Sequence, residues 1–114
     1  MKVGDVYLVN FAKNKGAEFS GKHYAVILTE QVDNTILVVP MTSKKKGKRY
    51  RGGITIDVKK YQAEPTKDKS FLYVRKIREV DRSRLWKKRY SLDDDDLKRL
   101  LNKIKEIIID SPRG

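Results

Sequence analysis

The sequence predicts a mainly β protein, a small antiparallel barrel with a single C-terminal helix packed against it. Three observations carry that prediction. The chain has 114 residues, enough for one hydrophobic core and too few for two. Short apolar runs rich in β-branched and aromatic residues recur at short intervals between polar, Gly-containing connections. Only near the C-terminus does the apolar period change from two residues to the three-to-four of a helix.

The first strand is expected over residues 4–11, where apolar and polar positions alternate, and a long polar loop follows over residues 12–21. Residues 24–28 restart the apolar pattern. Gln31-Val32-Asp33-Asn34 is a turn of the right length to pair that strand with residues 35–39 as an antiparallel hairpin. Pro40, having no N–H to donate, is expected to end this ladder. After a basic loop, Ile54-Thr55-Ile56-Asp57-Val58 alternates cleanly and forms a fourth strand. A connection over residues 59–69 leads to strand character at residues 70–74 and again at 77–81, so five or six strands are expected in all. The barrel then occupies about residues 1–85 and the helix about residues 92–110 of a single domain. In the helix, Leu97, Leu100, Leu101, Ile104 and Ile108 lie on one stripe. Ser91 followed by Asp94 resembles a capping box, and the acidic run Asp93 to Asp96 suits the positive end of the helix dipole. Asp110-Ser111-Pro112 ends the helix.

Composition removes several classes of function. Without cysteine there is no disulfide, thiolate nucleophile or Cys-ligated zinc, and one histidine cannot supply an HxxH or HExxH pair, so no metal or other cofactor is expected. The acidic run lacks the glycine and the bidentate Glu of a calcium loop. No apolar stretch approaches membrane-spanning length, and the N-terminus has no signal-peptide pattern, which leaves a reducing, cytoplasmic setting as the expectation. Gly16 to Lys22 matches GxxxxGK, yet the next residue is His23 instead of a magnesium-holding Ser or Thr, and Tyr24-Ala25-Val26-Ile27-Leu28 continues as strand where a phosphate loop needs a helix.

The charge points to a partner. Lys and Arg number 27 against 15 Asp and Glu, a formal net charge of +12, whose field reaches about 8–10 Å in physiological salt and attracts polyanions. The cations fall in two blocks, Lys44, Lys45, Lys46, Lys48, Arg49 and Arg51, then Arg75, Lys76, Arg78, Arg82, Arg84, Lys87, Lys88 and Arg89, with Tyr50, Tyr73, Trp86 and Tyr90 among them. Aromatic faces among cations suit single-stranded nucleic acid, where bases stack and phosphates are neutralised together.

Three ordered segments, 4–9, 21–28 and 38–45, resemble the opening strands of the MazF/PemK toxin family, and Ser70 to Leu85 resembles that family's strand with a QIRTIDKxRL-type sequence. The resemblance implies an SH3-like antiparallel barrel of the CcdB/MazF type, usually a homodimer. It also implies a metal-independent, sequence-selective endoribonuclease that leaves a 2′,3′-cyclic phosphate and a free 5′-hydroxyl and is neutralised by a cognate antitoxin. In such a cleavage the nucleophile is the substrate's own 2′-OH, so the protein must supply proton acceptors, proton donors and cations. His23, with an ordinary pKa of about 6.5, exchanges protons at neutral pH, and nearby lysines are expected to favour its basic form. Thr42 and Ser43 can bond phosphate oxygens, and Lys45 can stabilise the phosphorane or transfer a proton. Lys22, Lys44, Lys46, Lys48, Arg49, Arg51, Arg75 and Arg78 are expected to bind RNA. Two positions depart from the family pattern: many members have Arg-Pro at His23-Tyr24 and an acidic residue at Arg75. Two alternatives accompany this reading, a noncatalytic nucleic-acid-binding barrel and a gyrase poison of the CcdB type.

Overall fold

The structure, a computed structural model, describes residues 1–13, 15–16, 20–65 and 67–110. Part of the 12–21 loop, including residues 17–19 of the GxxxxGK match, and the expected helix stop at 111–114 lie outside the described residues. Among those described are seven strands: β1 (Asp5–Asn10), β2 (Lys22–Ile27), β3 (Thr35–Ser43), β4 (Ile54–Asp57), β5 (Lys69–Leu72), β6 (Arg78–Asp81) and β7 (Leu85–Ser91). Helix α1 (Asp94–Ile104) follows and runs on with π spacing over Lys105–Ile109. Every strand pairing is antiparallel, in the order β4-β5-β3-β2-β1-β7, with β6 also pairing with β3.

The long strand β3 organises the sheet. Its residues 35–38 pair with β6 and its residues 41–43 with β5, so it changes partner in the middle. Pro40 sits between the two ladders. The β2–β3 ladder ends at Pro40 as expected, its last pair being Ala25↔Pro40, yet the strand itself runs on to Ser43 along β5, and the Pro40 carbonyl accepts from the Tyr73 N–H at 2.9 Å. Residues 25–27 of β2 and 38–41 of β3 are buried without interruption, successive side chains entering two cores, which explains these continuous apolar runs. One core, including Val6, Val26, Val39, Met41, Leu72 and Leu100, lies under the helix; the other gathers Val9, Phe11, Ala25, Ile27, Ile36 and Val38.

The seventh strand has no counterpart in the sequence reading, which placed the barrel's end near residue 85. In β7 only Leu85 is buried and Tyr90 is half-buried, and the rest of its side chains are exposed. A strand with one anchoring apolar residue and a row of cations shows no alternation to detect.

The helix start also differs from expectation. Asp93, not Ser91, is the N-cap, its carboxylate accepting from the Asp96 N–H at 2.8 Å. The Ser91 hydroxyl donates instead to the buried Asp5 at 2.6 Å. Asp96 is buried too, and accepts from the Tyr61 hydroxyl, from Arg99 at 2.9 Å and from Lys60 at 3.3 Å, while Arg99 reaches the Thr55 carbonyl at 2.9 Å. The acidic run therefore caps the helix and also ties it to β4 and the 3-10 turn Val58–Lys60. Toward the C-terminus, the π turn brings Ile107 against the core, so Ile108, expected inside, is 51% exposed.

Candidate functional site

The register between β2 and β3 runs Ile27↔Val38, Val26↔Val39 and Ala25↔Pro40, and there it stops. Continued, it would set His23 against Thr42 and Lys22 against Ser43. Instead β3 turns toward β5, pairing Thr42 with Phe71 and Ser43 with Ser70, while residues 22–24 of β2 stay with β1. The two strand ends part. A cleft of about 300 Å³ lies at this opening, bordered by Lys22, His23, Tyr24, Met41, Thr42, Ser43 and Lys45, with Gln62, Lys67, Ser70, Arg89 and Tyr90 completing it. The fold thus brings together all four residues singled out for catalysis, His23, Thr42, Ser43 and Lys45, with the expected RNA ligand Lys22.

The pleat divides these residues. Lys22 and Tyr24 project to one face of β2 and His23 to the other. The His23 ring is half-buried, 6.4 Å from the Phe11 ring, and the Arg78 guanidinium lies 5.4 Å over the same Phe11. Burial lowers the His23 pKa from its ordinary value, and a hydrogen bond to the Ser20 backbone opposes that shift in part. The direction is the expected one, but the cause is desolvation, not neighbouring lysines. At neutral pH the imidazole is held in its proton-accepting form. Tyr90, pushed up to about 12 chiefly by burial, keeps its proton.

Two residues on β7 reach this region by breaking the ladder. Opposite β1, Lys88 pairs with Tyr7 and Tyr90 with Val6, leaving Arg89 as an extra residue; Leu85 pairs with Val9 and Lys87 with Leu8, leaving Trp86. Each bulge re-aims its side chain toward β2. Arg89 donates to the Tyr24 hydroxyl at 2.9 Å and stacks 5.3 Å from that ring, and the Gln62 side-chain oxygen, oriented to satisfy both groups, accepts from the same guanidinium. Lys22 Nζ stands 3.7 Å from the centre of the Trp86 ring. Neither Arg89 nor Gln62 stands out in the sequence: a bulge inverts the in-out parity at Arg89, and Gln62 lies in the irregular connection after the 3-10 turn Val58–Lys60.

The remaining expected RNA ligands spread outward. Lys44, Lys46 and Lys48 line a second, shallower groove of about 670 Å³, and Lys45 stands on the ridge shared with the cleft. Arg49 and Arg51 are exposed on the loop between β3 and β4 and border neither hollow. Arg75 also borders neither; its aliphatic stem lies over Gly52, whose carbonyl accepts from the Arg75 N–H at 3.0 Å. Tyr50 shapes the loop from beneath: its hydroxyl accepts from the Lys45 N–H at 2.8 Å and donates to the Ser43 carbonyl at 3.4 Å. Among the described residues there is no group of three or more His, Asp or Glu side chains arranged to hold a metal ion. No described helix is long and apolar enough to cross a membrane.

An antiparallel sheet with one C-terminal helix places the chain in the MazF-like fold class. It superimposes on MazF from Deinococcus radiodurans with a TM-score of 0.73 at 22% identity, covering 95% of this chain and 96% of that one. The MazE-MazF complex from the same organism gives 0.70 at 21% identity, with 97% of each chain covered. An endoribonuclease in complex with its cognate antitoxin from a mycobacterial species gives 0.69 at 9% identity, again with 97% of each chain covered. The family profile described as PemK-like, MazF-like toxin of type II toxin-antitoxin system matches residues 2–108, and the chain belongs to that family.

Proposed function

We propose that this protein is a metal-independent, sequence-selective endoribonuclease toxin that cleaves single-stranded RNA through attack of the substrate 2′-OH, and that a cognate antitoxin neutralises it in the cytoplasm. The observation that carries this reading is the parting of β2 and β3, which collects a neutral imidazole, two hydroxyls and several cations around one opening. Family membership and the relatives seen with antitoxins support it.

The chemistry needs no enzyme nucleophile. His23 accepts the 2′-OH proton, the 2′-oxygen attacks the adjacent phosphorus, and the bond to the 5′-oxygen breaks; Lys45 donates a proton to that leaving oxygen. The products are a 2′,3′-cyclic phosphate and a free 5′-hydroxyl, and no water is consumed. Thr42 and Ser43 donate to the non-bridging oxygens as charge develops, with Lys22 and Arg89 adding positive potential. Lys44, Lys46, Lys48, Arg49, Arg51, Arg75 and Arg78 neutralise flanking phosphates. The same reading includes a homodimer, supported by the exposed apolar side chains Leu101, Ile108 and Ile109 along the helical C-terminus.

The test is incubation of the purified protein in EDTA with mixed-sequence single-stranded RNA and with DNA of the same sequence. Cleavage of the RNA alone is expected. Intact RNA retained in a salt-sensitive complex would replace this reading with that of a noncatalytic binding module.

A further inference from the structure

Four aromatic side chains lie within the basic blocks, and three of them are engaged. Tyr90 stacks on Tyr61 at 4.8 Å with the rings 5° from parallel. Tyr50 and Tyr73 pack on each other and on Phe71 at 4.9 to 6.3 Å. Trp86, the largest and the only tryptophan, is 57% exposed. Leaving so much apolar ring in water forgoes burial that a domain this small would otherwise use.

Its setting indicates what covers it. As a bulged residue on the terminal strand β7, Trp86 has no cross-strand partner, and its direction is set by the bulge. The Lys22 ammonium sits against the ring at 3.7 Å, and Lys22 itself borders the cleft. β2 and β7 are separated by β1 alone, about 10 Å across two strand spacings, within reach of a nucleotide next to the one being cut. Lys87 and Arg89 are exposed on the same strand. A flat ring more than half exposed, with a cation against it and phosphate-binding charges beside it, is matched to an unpaired nucleobase. An acidic surface is matched by the charges but not by the ring.

We propose that Trp86 stacks an unpaired base of the RNA flanking the cleavage site, with Lys22 bracing the ring and neutralising the adjoining phosphate, so that the binding site extends from the cleft onto β7. The proposal rests on the RNA-cleaving reading above and deepens it by requiring the substrate to be single-stranded on the β7 side of the cut.

The test uses a mixed-sequence 2′-O-methyl RNA, which binds without offering a 2′-OH for attack. Fluorescence anisotropy of labelled RNA reports binding, and the intrinsic emission of the sole tryptophan reports stacking. Saturable quenching that tracks the anisotropy is expected. Trp86→Leu, which keeps apolar bulk but loses the π face, is expected to weaken binding on the order of 10- to 100-fold without changing the slope of log affinity against log salt, because no phosphate contact is removed. Trp86→Phe is expected to recover most of that loss. Binding with unchanged Trp86 emission, or a Leu variant that binds like wild type, would overturn the proposal while leaving the endoribonuclease reading intact. Emission that responds to protein concentration but not to RNA would assign the ring to a contact between copies and overturn it as well. Absence of any RNA binding would remove both readings.

Discussion

Burial against Phe11 prepares His23 to accept a proton, and the sign of that effect is testable. Because its folded pKa lies below the ordinary value of 6.5, the neutral imidazole persists at pH values where a free histidine is already charged. The cleavage rate is therefore expected to fall only as pH drops through a value below 6.5, read from the acid limb of a pH–rate profile. The same shift makes the unfolded chain the better proton binder. His23 thus contributes stability that is complete above its unfolded pKa and is lost as pH falls through the lowered folded one. His23→Ala and Thr42→Ala are each expected to reduce cleavage by on the order of 10²-fold with the fold retained, checked by single-turnover kinetics beside circular dichroism; wild-type rates from both would remove the assignment. At this scale the sequence was informative where chemistry is rare. One histidine and one Thr-Ser pair followed by lysines stood out by type, whereas Arg89 is hidden among seven neighbouring cations and only a bulge in β7 turns it toward β2.

Elements are joined here by contacts that single changes can break. A Cβ at Gly53 would lie 1.8 Å from the Leu72 carbonyl oxygen, so Gly53→Ala must push β4 away from β5. A loss of about 2 kcal/mol or more is expected from urea unfolding. Removing the carboxylate in Asp96→Ala deprives the Tyr61 hydroxyl, Arg99 and Lys60 of their shared acceptor under the helix. About 2–3 kcal/mol is expected there, with the helix loosening from β4. Strands with an apolar signature were legible, as were the hairpin turn and, through Leu97, Leu100 and Ile104, part of the helix stripe, whose other members Leu101 and Ile108 are exposed. The β7 strand was not, because a terminal strand anchored mainly by Leu85 carries its cations outward on successive residues. Pro40 does end the β2–β3 ladder, as its missing N–H suggested, but the continuation of β3 along β5 is a property of the whole sheet that no local pattern carries.

Over the whole molecule, a formal charge of +12 makes RNA affinity strongly dependent on salt. Replacing Lys44, Lys46 and Lys48 together by Gln is expected to reduce the slope of log affinity against log salt by about 2, since each single-strand phosphate contact contributes about 0.7. An unchanged slope would mean that the shallow groove does not carry the RNA. Such a charge attracts any polyanion, so only the reaction at the cleft distinguishes an enzyme from a binder. The central claim is that the substrate's own 2′-OH is the nucleophile. It is tested most directly by mapping the cut in a single-stranded RNA, placing one 2′-deoxy residue there, and analysing product ends after incubation in EDTA. The account predicts that the unmodified strand yields a 2′,3′-cyclic phosphate and a 5′-hydroxyl while the modified strand stays intact at that position. Cleavage at the 2′-deoxy residue, or a 5′-phosphate on the downstream product, would contradict it.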